Sequence, residues 1–327
     1  MPEKVTIATV AAHAQVSRQT VSNVLNSPHL VREETRVRVQ EAIATLGYRI
    51  NQAARQMRTG RSRLLAVRIE PTRDGINGSV LDRFLHGLTF AAAAAGYRVM
   101  LYTADDDGDE IKTFEDLLAS HELDGFVLTG TDHGDVRTFW LAERGVQFVT
   151  FGRPWDEPER HSWVDVDNAD GTAQATRRLI ETGHRRIGFI GWPAGSGVGD
   201  DRRDGWQRTM KAYDLDPAGL DRGAPDGIAQ GAECARDLLT TPEPPTAFVC
   251  ASDSLALGAL QAAGGRSAVI GFDDTPVAEA IGLTSVSQPL PDAAARCIDL
   301  LIDHLDGNPV GTSQVLLKPS LVVRTTA

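Results

Sequence analysis

Arg18, Gln19 and Asn23 carry the most readable chemistry in this chain. A guanidinium can grip the O6 and N7 edge of guanine with two hydrogen bonds, and a primary amide can do the same for adenine. Ser17 and Ser22 beside them suit phosphate oxygens, which position a protein on a duplex without reading its sequence. Such residues need one rigid face. Ser17 is a good N-cap for a helix whose Val21, Val24 and Leu25 turn inward, leaving Arg18, Gln19, Ser22 and Asn23 outside. Before it, Thr6 caps a helix from Ile7 to Ala14 with Ile7, Val10 and Ala11 on one side, and Gln15-Val16 make the turn. After it, Glu33 to Leu46 carries Val39, Ala42, Ile43 and Leu46 on one stripe, which closes a small core. This is a helix-turn-helix with its second helix shaped for a major groove. The expected DNA contacts here are Thr6, Ser17, Arg18, Gln19, Thr20, Ser22, Asn23 and Asn26; the alternative is a surface helical hairpin that stays wet.

A second pattern follows. Asn51 can cap a short helix from Gln52 to Thr59, with Gly60 as its stop, and that helix carries Ala54, Arg55, an exposed Met57 and Arg58. A helix this short is marginal alone, so it is expected to form only against a partner. It suits two partners, its twin from a second subunit and a minor groove that Met57 wedges open. Asn51, Ala54, Met57 and Arg58 therefore join the expected DNA contacts.

Charge sorts along the chain in the same way. Residues 1 to 63 hold ten Lys and Arg against four acids, or +6, while the whole chain is -11 and the remainder therefore -17. A basic head on an acidic body points to nucleic acid at one end only. Cys234, Cys250 and Cys297 lie far apart without metal-ligand spacing, so neither a disulfide framework nor a zinc site is indicated. Met1-Pro2-Glu3-Lys4 lacks the basic-then-apolar run of a secretory signal, and a cytoplasmic location is expected.

Beyond Arg63, apolar runs alternate with helical stretches, the pattern of parallel sheets covered by helices. The expected strands are Leu64 to Ile69, Arg98 to Thr103, Gly125 to Thr129, Gln147 to Phe151, Trp163 to Asp167, Arg186 to Ile190, Ala247 to Ala251 and Ala268 to Phe272. These are too many for one mononucleotide-sized unit, so two doubly wound lobes are expected, with a ligand at the carboxyl ends of the strands between them. Just after strands stand Arg153, Asp167, Asp273, Asp274 and Gln288. They are either binding residues or caps of the next helix, and Asp274 and Asn168 are evenly balanced between the two. Trp192, after the strand from Arg186, can stack on a pyranose face or pack in the core.

The chain resembles the lactose-repressor (LacI/GalR) family of bacterial transcription factors over essentially its whole length. The motifs that carry the resemblance are VTIATVAAHAQVSRQTVSNVLN, ETRVRVQEAIATLGY, NQAARQMRTGRS, DVDNADGTAQATRRLIETGHRRIGFIG, ASDSLALGAL, VIGFDD, TSVSQP and LLKPSLVVR. It implies a helix-turn-helix head over residues 1–48, a hinge helix over 49–61, and an effector-binding and dimerisation body over 62–327. It also implies that Arg18, Gln19 and Asn23 read bases and that Met57 enters the central minor-groove step. For the body it implies the type I periplasmic-binding-protein fold, one lobe from about 62–161 plus 290–318 and the other from about 162–289 plus 319–327, joined by three crossings. Arg202 of Arg202-Arg203-Asp204-Gly205-Trp206 matches the first Arg of the family's R-x-x-G-W, which holds the effector. Arg202 with Asp273 is the chemistry of a polyol site. Ser252 stands where many relatives carry Asn, which implies a roomier pocket or a bridging water.

Four residues depart from the family pattern. Gln15 replaces the usual Gly of the turn, at about 1 kcal/mol if the position is left-handed. Arg32 replaces the Ser or Thr cap of the third helix, Ile50 the Pro before the hinge, and Met57 a Leu. The stretch from Ala262 to Ser267 is shorter than the family's loop, and the tail lacks a leucine heptad.

The expected function is a homodimeric, allosteric repressor that reads a near-palindromic operator and responds to a small carbohydrate-like effector, without a cofactor. Two other classes compete. A sugar-binding protein of the same fold is opposed by the basic head. An enzyme using Asp273 and Asp274, or the loop from Gly195 to Gly199, is opposed because neighbouring strand carboxylates point apart and the glycines fit no phosphate-binding pattern.

Overall fold

The computed structural model describes residues 5–48, 60–69, 75–157, 159–308 and 311–327, and the chain divides into two units, Met1–Ser62 and Arg63–Ala327. The head contains α1 (Ile7–His13), α2 (Arg18–Asn26) and α3 (Glu33–Leu46). Val10, Ala11 and Ala14 of the first helical segment pack on Val21 and Val24 of α2 and on Val39 and Ala42 of α3. Thr6 closes a reciprocal capping box with Thr9 at the start of α1. Gln15 sits at φ 52°, left-handed as the turn requires and without the glycine that would make it free. Arg32 makes no side-chain cap for α3, and Glu33 and Glu34 in the first turn face the positive end of the helix dipole instead. The helix ends on Gly47 at φ 63°.

The body holds two six-stranded sheets. The first contains β1 (Leu64–Arg68), β2 (Arg98–Tyr102), β3 (Gly125–Thr129), β4 (Phe148–Phe151), β5 (Trp163–Val166) and β11 (Gln314–Leu317) in the order β11-β5-β4-β3-β1-β2. The second contains β6 (Ile187–Gly191), β7 (Asp221–Gly223), β8 (Ala247–Cys250), β9 (Ala268–Phe272), β10 (Thr284–Ser287) and β12 (Ser320–Val322) in the order β12-β10-β9-β8-β6-β7. Every pairing is parallel except β10 with β12. Central strands such as Gly125–Thr129 and Ile187–Gly191 are buried throughout, because helices cover both faces. The first lobe packs Leu65, Val67, Val127 and Val164 on Phe84 and Leu88 of α4 (Gly75–Ala94) and on Leu290, Ile298 and Leu301 of α12 (Leu290–Leu305). The second lobe packs β6, β8 and β9 on the helices Asn168–Glu181 (α7), Gly197–Ala212 (α8), Ile228–Leu239 (α9) and Asp253–Ala263 (α10).

The chain crosses between lobes three times, after Val166, between Ser287 and Leu290, and between Leu317 and Ser320. This corrects the expected lobe boundary near residue 161. Trp163–Val166 is a fully buried strand of the first sheet, bonded on one side to β4 and on the other to β11, so the first crossing comes only at Asp167. The structure adds four short strands to the eight expected, β7, β10, β11 and β12. No described helix is long and apolar enough to cross a membrane.

Candidate DNA-reading face and effector cleft

On the head, Ser17 caps α2 by accepting from Thr20 N–H at 3.0 Å, and the two hydroxyls lie 2.9 Å apart. The cap holds the first turn, from which Arg18 and Gln19 project as exposed side chains. One turn on, Gln19 Nε2 donates to Asn23 Oδ1 at 3.0 Å. That bond leaves the Gln19 carbonyl and the Asn23 amide group as one outward acceptor and one outward donor, the pattern an adenine edge presents in reverse. Ser22 is half-buried on the same helix, and Thr6 stays exposed at the start of α1. The side chain of Asn26, together with Asn51, Ala54, Met57 and Arg58, lies outside the described residues.

In the body, the structure brings Arg202, Asp273, Gln288 and Trp192 together. Arg202 leaves α8 only 4% exposed. Its Nε donates to Asn168 Oδ1 at 2.8 Å and its Nη1 to the Ala251 carbonyl at 2.5 Å. The guanidinium lies 3.6 Å from the centre of the Phe272 ring and 5.2 Å from that of Trp192. Asp273 Oδ1 is 3.7 Å from Arg202 Nη1 and accepts from Gln288 Nε2 at 2.7 Å. Burial lowers the Arg202 pKa, against the pull of Asp273. Burial also pushes Asp273 up to about 8, with Arg202 opposing it. Asp273 itself stands at φ 108°, so its carboxylate is aimed by a strained backbone.

The R-x-x-G-W pattern has a packing cause. A side chain at Gly205 would overlap the Ala169 carbonyl, so glycine lets α8 lie close on α7, and Trp206 Nε1 then reaches the Ile187 carbonyl at 3.2 Å. That packing sets Arg202 over the strand ends.

Several strand-end residues serve as caps. Asp167 caps α7 by accepting from Asp170 N–H at 2.9 Å, while Asn168, the first helical residue, holds Arg202. Ser252 caps α10 by accepting from Leu255 N–H at 3.1 Å and donates to Asp226 Oδ1. Asp274 turns away from Asp273 and pairs with Arg324 at 2.6 Å, and Thr275 provides the cap of the next helix. The ring of Trp192 packs against the second-lobe core, with its Nε1 buried and without a partner.

Arg153 works across the cleft. From the end of β4 its Nε donates to Asp165 Oδ2 at 2.6 Å and its Nη2 reaches Asp201 Oδ2 on α8 at 3.2 Å. Burial works against its charge, but Asp165 and Asp201 outweigh it and raise its pKa. Arg83 of α4 makes a second crossing, donating to the carbonyls of Asp273 and Asp274 at 3.2 Å each. Sequence reasoning left Asn168 open between cap and contact and missed Asp201 and Asp226; Asp201 sits beside Arg202, but no spacing rule marks its partner as Arg153.

A model of the lacI family of bacterial regulatory proteins matches residues 6–51, and one of a periplasmic binding protein-like domain matches residues 176–327. The HTH-type transcriptional regulator CelR of Thermobifida fusca is 34% identical over 334 residues, covering 98% of this chain and 97% of that protein. A solved CelR–cellobiose complex has a TM-score of 0.74 at 31% identity, covering 99% of this chain and 100% of that one. A lac repressor dimer bound to operator and an anti-inducer has a TM-score of 0.81 at 25% identity, covering 99% of both chains. A capped reading helix ahead of a two-lobed cleft, matched end to end at this identity, places the chain in the lacI family of bacterial regulatory proteins.

Proposed function

We propose that this transcriptional regulator acts as a homodimeric repressor of a near-palindromic operator, and that a small polyhydroxylated effector in the cleft sets its grip on DNA. The observation that carries the DNA half is the outer face of exposed Arg18 and Gln19 and half-buried Asn23 on a helix whose opposite side is locked into the head core. A two-fold pair of such heads suits symmetric half-sites, and the operator-bound lac repressor dimer supports that assembly.

The effector half rests on Arg202, Asp273 and Gln288 converging at the strand ends of the second lobe, with Arg153 facing them from the first. Asp167, Trp192 and Ser252 complete the proposed set. The cellobiose-bound relative supports a sugar as the ligand class. An effector bound there acts only through its different affinities for two lobe arrangements.

We assign no catalytic role. The two neighbouring carboxylates serve different partners, Asp273 facing Gln288 and Asp274 facing Arg324, so they do not form an acid-base pair. The proposed location is the cytoplasm, where the operator is. Selection of bound duplexes from fragmented genomic DNA tests the reading, with and without each of a panel of mono- and disaccharides. Enrichment of one symmetric sequence that a single sugar changes is expected; binding of all duplexes alike under every condition overturns it.

A further inference from the structure

The chain that leaves β4 returns to the start of β5 beside the helix Val136–Glu143, and the Arg160 guanidinium of the one lies 3.0 Å from the centre of the Phe139 ring of the other. A cavity of about 220 Å³ lies here, with Phe139, Pro154 and Trp155 as its apolar walls. Every residue that lines it belongs to the first lobe, and none belongs to the proposed effector set.

His161 lines this cavity and a neighbouring one of about 390 Å³, and it is 7% exposed. Its partners fix its protonation. Thr150 Oγ1 gives its single proton to the Gly152 carbonyl at 2.6 Å, so at 3.1 Å His161 Nε2 must donate to that hydroxyl. Burial keeps the ring neutral, lowering its pKa to about 4. Nδ1 is therefore a lone-pair acceptor, buried and without a partner among the described residues. Such an acceptor carries a free-energy penalty that a ligand donor removes.

The lining carboxylates Asp132, Asp135, Asp156 and Glu157 stand against one cation, Arg160. Three of the four are engaged. Asp135 accepts from Arg137, Asp156 from His133 and the Gly134 N–H, and Glu157 from Arg160. Exposed Asp132 has no hydrogen-bond partner among the described residues. Partial loss of water around it and the nearby Asp107 raise its pKa, and a cation bound beside it would work the other way. An anion here would meet an excess of its own sign. The aromatic walls also favour positive charge: Phe139 already carries Arg160, and the Arg153 guanidinium lies 4.8 Å from the centre of the Trp155 ring. The volume is below the roughly 300 to 1,000 Å³ of sites for drug-sized ligands, so it suits a single ring.

We propose that this cavity is a second small-molecule site, outside the effector cleft, which takes a protonated aromatic amine: its ring against Phe139, Pro154 and Trp155, its ammonium at Asp132, and a ring hydroxyl donating to His161 Nδ1. A side chain at Gly197, the first residue of α8, would overlap the Trp155 ring, so one ring both walls the cavity and touches the second lobe. The inference goes beyond the effector reading and does not depend on it.

Calorimetric titration of the full chain tests it with tyramine, phenethylamine, p-cresol and 4-hydroxyphenylacetate, on wild type, Asp132→Asn, Asp132→Lys and His161→Phe. Circular dichroism and thermal melting establish that each variant is folded; Asp132 is exposed, so its two variants carry the test if His161→Phe does not fold. We expect tyramine to bind wild type most tightly, phenethylamine about 5-fold more weakly for want of the hydroxyl, and 4-hydroxyphenylacetate not at all. Asp132→Asn should weaken both amines by about 10-fold and Asp132→Lys by more, while p-cresol is unaffected. His161→Phe should bring tyramine to the level of phenethylamine. Binding of the anion as tightly as the amines, amine binding unchanged in Asp132→Lys, or no amine binding to wild type would each overturn the proposal. Equal binding of the two amines by wild type would overturn the contact at His161.

Discussion

Arg153 and Asp201 meet across the cleft at 3.2 Å, one from the first lobe and one from the second. With Arg83 bonded to two second-lobe carbonyls, they tie the lobes together at two places. The Arg153–Asp201 pair is mostly sheltered, at 20% and 17% side-chain exposure, but not fully buried.

A double-mutant cycle of Arg153→Met and Asp201→Asn should return a coupling of about 1 kcal/mol in denaturant unfolding of the body. Each single change costs more than that, because Asp165 and the Ala169 N–H also lose a partner. A coupling indistinguishable from zero would show that the pair does not bias the lobes.

The Gln19–Asn23 hydrogen bond makes a different kind of prediction. Gln19→Ala and Asn23→Ala should each lose discrimination at the same operator position, by about 1 to 3 kcal/mol, and the double variant should lose little more. Arg18→Ala should lose a comparable amount at another position. Competition binding against single-base operator variants checks all three, and uniform weakening across variants would contradict base reading.

Asp273 predicts a pH effect. Its value in the folded chain, about 8, lies above the ordinary carboxylate value of 3.8, so the native state holds the proton more tightly than the unfolded state does. Its stabilising share is complete below about 4 and is lost as pH rises through 8. Through this group the melting temperature of the body should therefore fall between about pH 4 and 8 and level off above that. Asp273→Asn should flatten that slope, whatever it does to the absolute stability, and calorimetry across the range decides.

Gly205→Ala should destabilise the second lobe by about 2 to 3 kcal/mol, since the added methyl meets the Ala169 carbonyl, a backbone atom that cannot move aside. An unchanged denaturation midpoint would mean that α7 and α8 separate more easily than their packing suggests.

Gln15→Gly should stabilise the head by about 1 kcal/mol, because Gln15 holds φ 52° against its Cβ. Loss of stability on this change would show that the unfolded-chain entropy of glycine outweighs the relief of strain.

The head was largely legible because its cues are local. Thr6 and Ser17 cap by bonds to residues three places on, and the apolar spacing of α2 and α3 marks their buried sides without reference to anything distant. Most body strands were legible as apolar runs, but Asp221–Gly223 and Ser320–Val322 are three residues long, and Gln314–Leu317 alternates exposed with half-buried side chains at a sheet edge. The lobe boundary was misplaced for a similar reason: Trp163–Val166 reads as a strand from its composition, but only its pairing with β4 and β11 assigns it to a sheet. The cleft was half legible. Position after a strand pointed to Arg153, Asp273 and Gln288 and left Asn168 open between cap and contact, whereas Asp201 and Asp226 gain their partners through folds of the chain that no spacing records.

The three lobe crossings restrict what an occupied cleft can transmit. Short tethers after Val166, Ser287 and Leu317 allow the lobes to pivot about the line they share but oppose sliding or pulling apart. The chain enters the body at β1, in the first lobe, so the head's covalent leash is anchored to one jaw only. On the proposed reading, a signal from the second jaw would arrive there as a rotation, with the angle between jaws as the variable through which a small molecule would address DNA.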